Sequence, residues 1–593
     1  MKNAFAIVTL SALMATHAMA QTSVSPFGKP ASKPVPAARA EDKSDPSTAK
    51  PGALPNAELS SDLLYKLSKA ELEFKNGQWQ GPYMTMMVAA QQTRDPRLAR
   101  RASEMALAAK QGAEAMAAIR LWRELAPDSD EATQFYLGFV VLTDKMDEAE
   151  PIFAERIKNA PPNARGVALF QMQQILLRAN DKLYAYAMLT RLVEPYLNMF
   201  EAHLVLAQGA LSLGERPRAI AEANKALSIK PDSELAALTL AQVTGEPQAA
   251  NAVLVDFLQK YPDAVEVRAA YARLLVEQKQ LDAARVQFEA LLKSQPDNLA
   301  GLYAAGIVAL QLNDAKGAEQ YFKRFLAALE KAPTDDRDPS KALMILSQIA
   351  ESRGDMAGAI AWLDKVDNRA SPAYLDARLR RAQLIARNGD LDGARKALTQ
   401  IDAADAAGQA QVLLVDAQLL RDAGYAQSAY TVLENALLRF PDQPELLYDF
   451  ALLAERMERY DLMESSLLRV MKLAPDNQHA YNALGYSLAE RGVRLPEAHA
   501  LIEKALQMAP GDPFILDSMG WVQFRMGNLA GAEESLRRAY AVRPDPEIAV
   551  HLGEVLWQKG SRDEAQKMWR EAQQKDPKNE ALKSTLARLK AKL

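Results

Sequence analysis

FILDSMGWVQFRMGNLAGAEESLRRAYAVRP, residues 514–544, is the stretch from which the fold is read. Its small and apolar residues stand at fixed offsets: Gly520 and Trp521, then Gly527, Ala532, Leu536 and Ala539, with Pro544 at the close. One period later the order returns as Leu552 and Gly553, Gly560, Ala565, Trp569, Ala572 and Pro577. One period earlier it reads Leu484 and Gly485, Gly492, Ala498, Ile502, Ala505 and Pro510, with one extra residue in the turn. A beat of about 34 residues with small residues at set places is the mark of stacked helical hairpins. Gly485, Gly520 and Gly553, facing Ala498, Ala532 and Ala565, let the two helices of a hairpin approach closely. A bulkier side chain there overpacks the contact at about 1–3 kcal/mol. Gly527 and Gly560 supply the left-handed conformation that ends a first helix. The closing proline lacks an N–H and stops the second helix. One hairpin cannot bury its apolar face alone, so the hairpins must stack.

Prolines carry the beat outward, at Pro127, Pro161, Pro195, Pro231, Pro262, Pro296, Pro441, Pro475, Pro510, Pro544 and Pro577. The shorter step from Pro231 to Pro262 predicts a reduced hairpin turning at Gly245-Glu246-Pro247. Between Pro296 and Pro441 looser copies persist, as Gly306 with Ala318 and Phe322, Gly354 with Ala359 and Leu363, and Gly389 with Ala394 and Leu398. About fifteen hairpins are expected, the first near Asp62 and the last ending at Pro577. They form two continuous arrays, 57–335 and 336–577, with a Lys-rich capping helix over 578–593. The polar segment Ala332–Ser340 reads as a loop lengthening one link, with a hinge as the alternative. No stretch shows sustained strand alternation, so the fold class is all-α.

At 593 residues the chain is too long for one compact core, a limit that a repeat array escapes because its core lengthens with each unit. Net charge is −4 with both signs interspersed, which gives no nucleic-acid footprint. The absence of cysteine excludes disulfides and thiolate metal sites. Lys2, the apolar run Ala4–Ala15 and Ala18-Met19-Ala20 form a secretory signal with cleavage expected after Ala20. Without a cysteine after the cut there is no lipid anchor, so a soluble periplasmic protein is expected. Residues 21–56, rich in Pro, Ala, Ser and Lys, read as a flexible linker.

No catalytic motif is found: there is no G-x-S-x-G, H-E-x-x-H, P-loop or dinucleotide glycine pattern. His203, His479, His499 and His551 fall in different repeats without metal spacing and read as groove or surface residues. A non-enzyme without cofactor or metal is expected.

The repeat resembles the tetratricopeptide repeat, TPR, and that resemblance implies a right-handed solenoid. In that family first-helix positions 2, 5, 9, 12 and 13 line a concave groove. Carried onto the three best copies, they give His479, Asn482, Tyr486 and Glu490, then Phe514, Asp517, Trp521, Phe524 and Arg525, then Glu547, Val550, Glu554 and Trp557. The implied partner-binding surface therefore comprises His479, Asn482, Tyr486, Asp517, Trp521, Phe524, Arg525, Glu554 and Trp557, with Tyr486, Trp521, Phe524 and Trp557 as an aromatic stripe. The alternative, in which Trp521 and Trp557 pack against a neighbouring hairpin, stays open. The clamp of TPR domains that hold chaperone C-termini is absent, since Asn482, Tyr486, Glu547 and His551 occupy its places.

A wider resemblance rests on Leu63-Leu64-Tyr65, on Thr93 to Ala99, on Leu516 to Trp521, and on Asp545 to Ile548 leading to His551 through Trp557. These strings resemble a proteobacterial family of exported TPR proteins, similar to the adaptor lipoprotein of a periplasmic carboxyl-terminal processing protease. The resemblance implies an adaptor that brings cell-wall hydrolases to the protease. A scaffold for envelope assembly or polysaccharide export is the alternative. The missing lipid-bearing cysteine departs from the characterised type.

Overall fold

The computed structural model describes residues 60–593 except Asp144. The expected signal peptide (1–20) and linker (21–56) lie outside the described residues. Among those described there are thirty-one α-helices, one short 3-10 turn and no strand. Thirty of the helices pair into fifteen successive antiparallel hairpins, and the last, Glu580–Leu589, packs on the final hairpin. No helix among the described residues is long and apolar enough to cross a membrane.

The chain divides into two compact units. The first, ending at Leu197, holds the helices from Ser61–Lys75 to Lys182–Val193 and the turn Glu194–Tyr196. The second, Asn198–Leu593, runs from the Phe200–Ser212 helix to Glu580–Leu589. Residues 332–339 form a loop within it, between helices Ala315–Glu330 and Ser340–Ser352. Asp338 ties that loop down, accepting from Ser340 N at 3.0 Å and from the hydroxyl of Ser371 in the next hairpin.

Local chemistry sets the helix ends. Asp512 accepts from the N–H groups of Phe514 (2.8 Å) and Ile515 (3.1 Å), and Asn528 accepts from Gly531 N at 3.1 Å. Both satisfy donors that a helix N-terminus leaves unpaired. The reduced hairpin expected after Pro231 is present as helices Glu234–Thr244 and Pro247–Lys260, with Gly245 at φ 74° between them. Only glycine adopts that conformation without strain.

Packing explains the small residues. A Cβ on Gly520 would lie 2.5 Å from Leu536 Cγ and 3.1 Å from the Ala532 carbonyl. One on Gly553 would lie 2.3 Å from the indole nitrogen of Trp569, a fully buried ring that donates to the Val550 carbonyl at 3.2 Å. The core of the last hairpins comprises two clusters, one from Ala410 to Val522 and one from Leu516 to Leu582, which meet at helix Pro513–Arg525, where Phe524 packs against both.

Two histidines depart from the sequence expectation of groove or surface positions. His203 and His551 are buried, because each finds a carboxylate inside: His203 Nδ1 lies 2.6 Å from Glu222, and His551 Nδ1 lies 3.0 Å from both oxygens of Asp517. His479 is exposed and His499 half-buried.

Candidate functional site

From helix Tyr374–Arg387 onward, first helices of consecutive hairpins lie side by side, so residues about 34 apart in sequence become neighbours. In the last three hairpins these are helices Gln478–Arg491, Pro513–Arg525 and Pro546–Gln558. Together they gather Tyr486, Asp517, Trp521 and Phe524 into one cluster with His551. Trp521 stacks on the His551 ring (centroids 4.3 Å, 23° between planes) and on Phe524 (5.1 Å, 27°). Tyr486 reaches His551 at 6.3 Å. The indole N–H of Trp521 donates to Glu490 at 2.6 Å.

The electrostatics follow from this crowding. Burial raises the Tyr486 hydroxyl well above its ordinary value, helped by the carboxylates of Glu490, Asp517, Glu547 and Glu455. Burial presses the His551 imidazole toward neutrality, but the Asp517 carboxylate, backed by Glu490 and Glu554, outweighs it, and the ring titrates above its ordinary value. Inside this aromatic and acidic shell the imidazole is held by stacking, and its protonated form is favoured by the neighbouring carboxylates.

The nine sequence-derived residues separate into two sets. Trp521 (5% exposed), Asp517 (8%) and Glu554 (2%) are internal. Glu554 is taken up by the guanidinium of Arg588 on the terminal helix, with both hydrogen bonds at 2.7 Å. Arg525 is half-buried and donates to the Glu490 carbonyl at 2.5 Å, closing the C-terminal end of the neighbouring helix. These four are struts between repeats. Of the two readings left open for Trp521, accessible stripe or packing against the neighbouring hairpin, the second is found: its ring fills the seam between neighbouring first helices. His479, Asn482, Tyr486, Phe524 and Trp557 remain exposed or half-buried. Trp557 belongs to a separate contact, packed on Trp569 at 5.4 Å with the Arg562 guanidinium 5.0 Å from its centroid.

A second feature was not singled out from the sequence. Between helices Ser340–Ser352, Tyr374–Arg387 and Ala406–Asp422 lies a cavity of about 460 Å³. Its floor is apolar, from Met344, Ile345, Leu363, Leu379 and Val415. Its rim carries Gln348, Gln383 and Gln411, with Glu351, Asp376 and Arg380. Burial raises the Glu351 carboxyl, but the guanidinium groups of Arg380 and Arg387 outweigh that and hold it below the usual carboxylate range. The signal that finds this cavity is the groove register itself, counted back from Gly354, Gly389 and Gly424. It places Met344, Leu379, Gln348 and Gln383 at the positions assigned above only to the last three hairpins. Among the described residues, no group of three or more His, Cys, Asp or Glu is placed to hold a metal ion.

Comparison with known proteins agrees with this architecture. Models described as tetratricopeptide repeat match residues 244–306 and residues 325–374, 448–513 and 518–580. A TPR repeat-containing protein of Pseudomonas aeruginosa is 37% identical over 209 residues, which is 35% of each chain. Cellulose synthase operon protein C of Pseudomonas fluorescens is 25% identical over 356 residues, covering 51% of this chain and 27% of that one. The chain thus spans about a third of the length of these curated relatives or less. Among solved structures, a tetratricopeptide repeat protein from Parabacteroides merdae is 18% identical, with a TM-score of 0.33, over 42% of this chain and 97% of that one. The four matched segments are tetratricopeptide repeats, and the described residues have the all-α tetratricopeptide-repeat solenoid fold.

Proposed function

We propose that this chain is a non-catalytic periplasmic scaffold that holds other proteins, acting as an adaptor that presents peptidoglycan hydrolases to a carboxyl-terminal processing protease. The observation that carries the scaffold reading is the row of first helices, which offers an apolar cavity rimmed by amides and, in the last hairpins, half-buried Tyr486 and Phe524. Surfaces of this kind bind polypeptides through a few aromatic and apolar anchors. Two clients held on one scaffold meet at a raised effective concentration, and that proximity is the whole mechanism. Protease and hydrolase as clients rest on the resemblance of the strings Leu516 to Trp521 and His551 to Trp557.

Affinity capture from periplasmic extract with the protein beginning at Gln21, followed by mass spectrometry, tests the reading. Recovery of a carboxyl-terminal processing protease with a cell-wall hydrolase is expected. Recovery of polysaccharide-export machinery alone overturns the adaptor in favour of an export scaffold. That second reading draws on the similarity to a protein named for a cellulose synthase operon. Amino-terminal sequencing of the exported protein tests the compartment, with Gln21 as the expected first residue.

A further inference from the structure

Gly520 and Gly553 mark the place where a first helix lies closest to its partner, each 12 residues ahead of an alanine on the second helix, Ala532 and Ala565. The same spacing sets Ser103 before Ala115, Ala207 before Ala219 and Ala272 before Ala284, and those hairpins are closely packed. Two successive hairpins of the first unit break the rule. Leu137 stands 12 residues before Ala149, in the hairpin of helices Asp130–Leu142 and Met146–Asn159. Gln173 stands 12 residues before Ala185, in the hairpin of Arg165–Leu176 and Lys182–Val193. Both side chains are buried, and in these two hairpins the paired helices approach each other less closely than in any other. A long side chain at the point of closest approach holds the backbones apart, and helices held apart lose dispersion contacts along their length.

Three further features weaken the same segment. The Gln173 side chain is 1% exposed, and neither its amide nitrogen nor its amide oxygen has a hydrogen-bond partner among the described residues. Such a group is destabilising while closed and gains water when the segment opens. Pro151 lies inside helix Met146–Asn159, where it removes one rung of the helical hydrogen bonding. The polar ties between the two hairpins lie at the surface: Arg191 donates to Glu150 at 2.8 and 3.0 Å, Tyr184 to Asp147, and Asn180 to the Leu142 carbonyl at 3.0 Å. Exposed pairs of this kind contribute little to stability.

We propose that Asp130–Val193 is a yielding segment built into the array: its two hairpins open together under conditions that leave the close-packed hairpins shut, so that the first unit can bend or lengthen there without losing the rest of its structure. The segment is set by side-chain size and an unpaired amide, and it is independent of what the array binds.

The test is hydrogen exchange of the whole protein followed by mass spectrometry, with rates corrected for intrinsic exchange. Amides of the segment should exchange about tenfold or more faster than those of helices Pro96–Ala108 and Gly112–Leu125 in the same unit. All four helices of the segment should lose protection together as urea is raised below the main transition. Gln173→Met keeps the length of the side chain and removes both unpaired atoms, so it should slow exchange of the segment by about five- to tenfold while the two control helices stay unchanged. Circular dichroism checks that the variant is folded, and the wild-type comparison decides without it. Protection of the segment equal to that of the control helices overturns the proposal, as does a folded Gln173→Met protein whose segment exchanges at the wild-type rate or faster.

Discussion

Replacing Trp521 with alanine should destabilise the last hairpins by about 3–5 kcal/mol, the range for deleting a large buried aromatic. The structure supplies the reasons: the ring is 5% exposed, stacks on His551 at 4.3 Å and donates to Glu490 at 2.6 Å. Stacking contributes about 0.5–1.5 kcal/mol of the loss beyond area burial. Trp521→Phe keeps most of the packing and loses the N–H donor. Because Glu490 is exposed and finds water instead, that change should cost only about 1 kcal/mol beyond the smaller ring. The assay is urea unfolding by far-ultraviolet circular dichroism, joined to hydrogen exchange of helices Gln478–Arg491, Pro513–Arg525 and Pro546–Gln558. Exchange is the sharper readout, because a long repeat array opens in parts rather than all at once. An exposed ring would change stability by no more than about 0.5 kcal/mol. A shift of that size, with exchange unaltered in the three helices, would refute the strut argument and restore Trp521 to the accessible stripe.

Three further outcomes are expected. Gly553→Ala should destabilise by about 1–3 kcal/mol net, since the new Cβ meets the buried Trp569 ring and the helix-propensity gain of about 1 kcal/mol does not offset it; a neutral or raised melting temperature contradicts this. Arg588→Ala leaves Glu554 as an unpaired buried carboxylate and should cost about 3 kcal/mol. Glu554→Gln in the same chain should recover most of that, as read from urea midpoints. The raised pKa of His551 gives a signed pH effect: its stabilisation is complete below the ordinary histidine value of about 6.5 and is lost as pH rises through the higher folded value. Urea midpoints should therefore fall as pH climbs above about 6.5 in the wild type, and His551→Phe should flatten that dependence; the same slope in both proteins would remove His551 as its source.

The period of small residues was open to sequence reading because it is a local property. Gly520 facing Ala532, Gly527 at the turn and Pro544 at the end act within one hairpin, and in the fold Gly520 lies against Ala532 and Gly527 takes the left-handed turn. So hairpin number, the reduced copy at Gly245 and the terminal helix were all legible. The division of first-helix residues into struts and free surface was not. Trp521 and Tyr486 occupy the same register, yet one is sealed and the other half-open. What differs is the partner set around Trp521, with Glu490 and His551 a repeat away and Phe524 one turn along the same helix, and the presence of Arg588 decides likewise for Glu554. The cavity at Leu379 and Gln383 is of the same kind: it exists because three helices, each spaced by its own small residues, leave a gap that no single helix contains. Sequence alone determined the hairpins, whose contacts are short in chain distance. Only the stacking of one hairpin on the next, through contacts about 30 or more residues apart, decided which side chains hold the array together and which are left to meet something else.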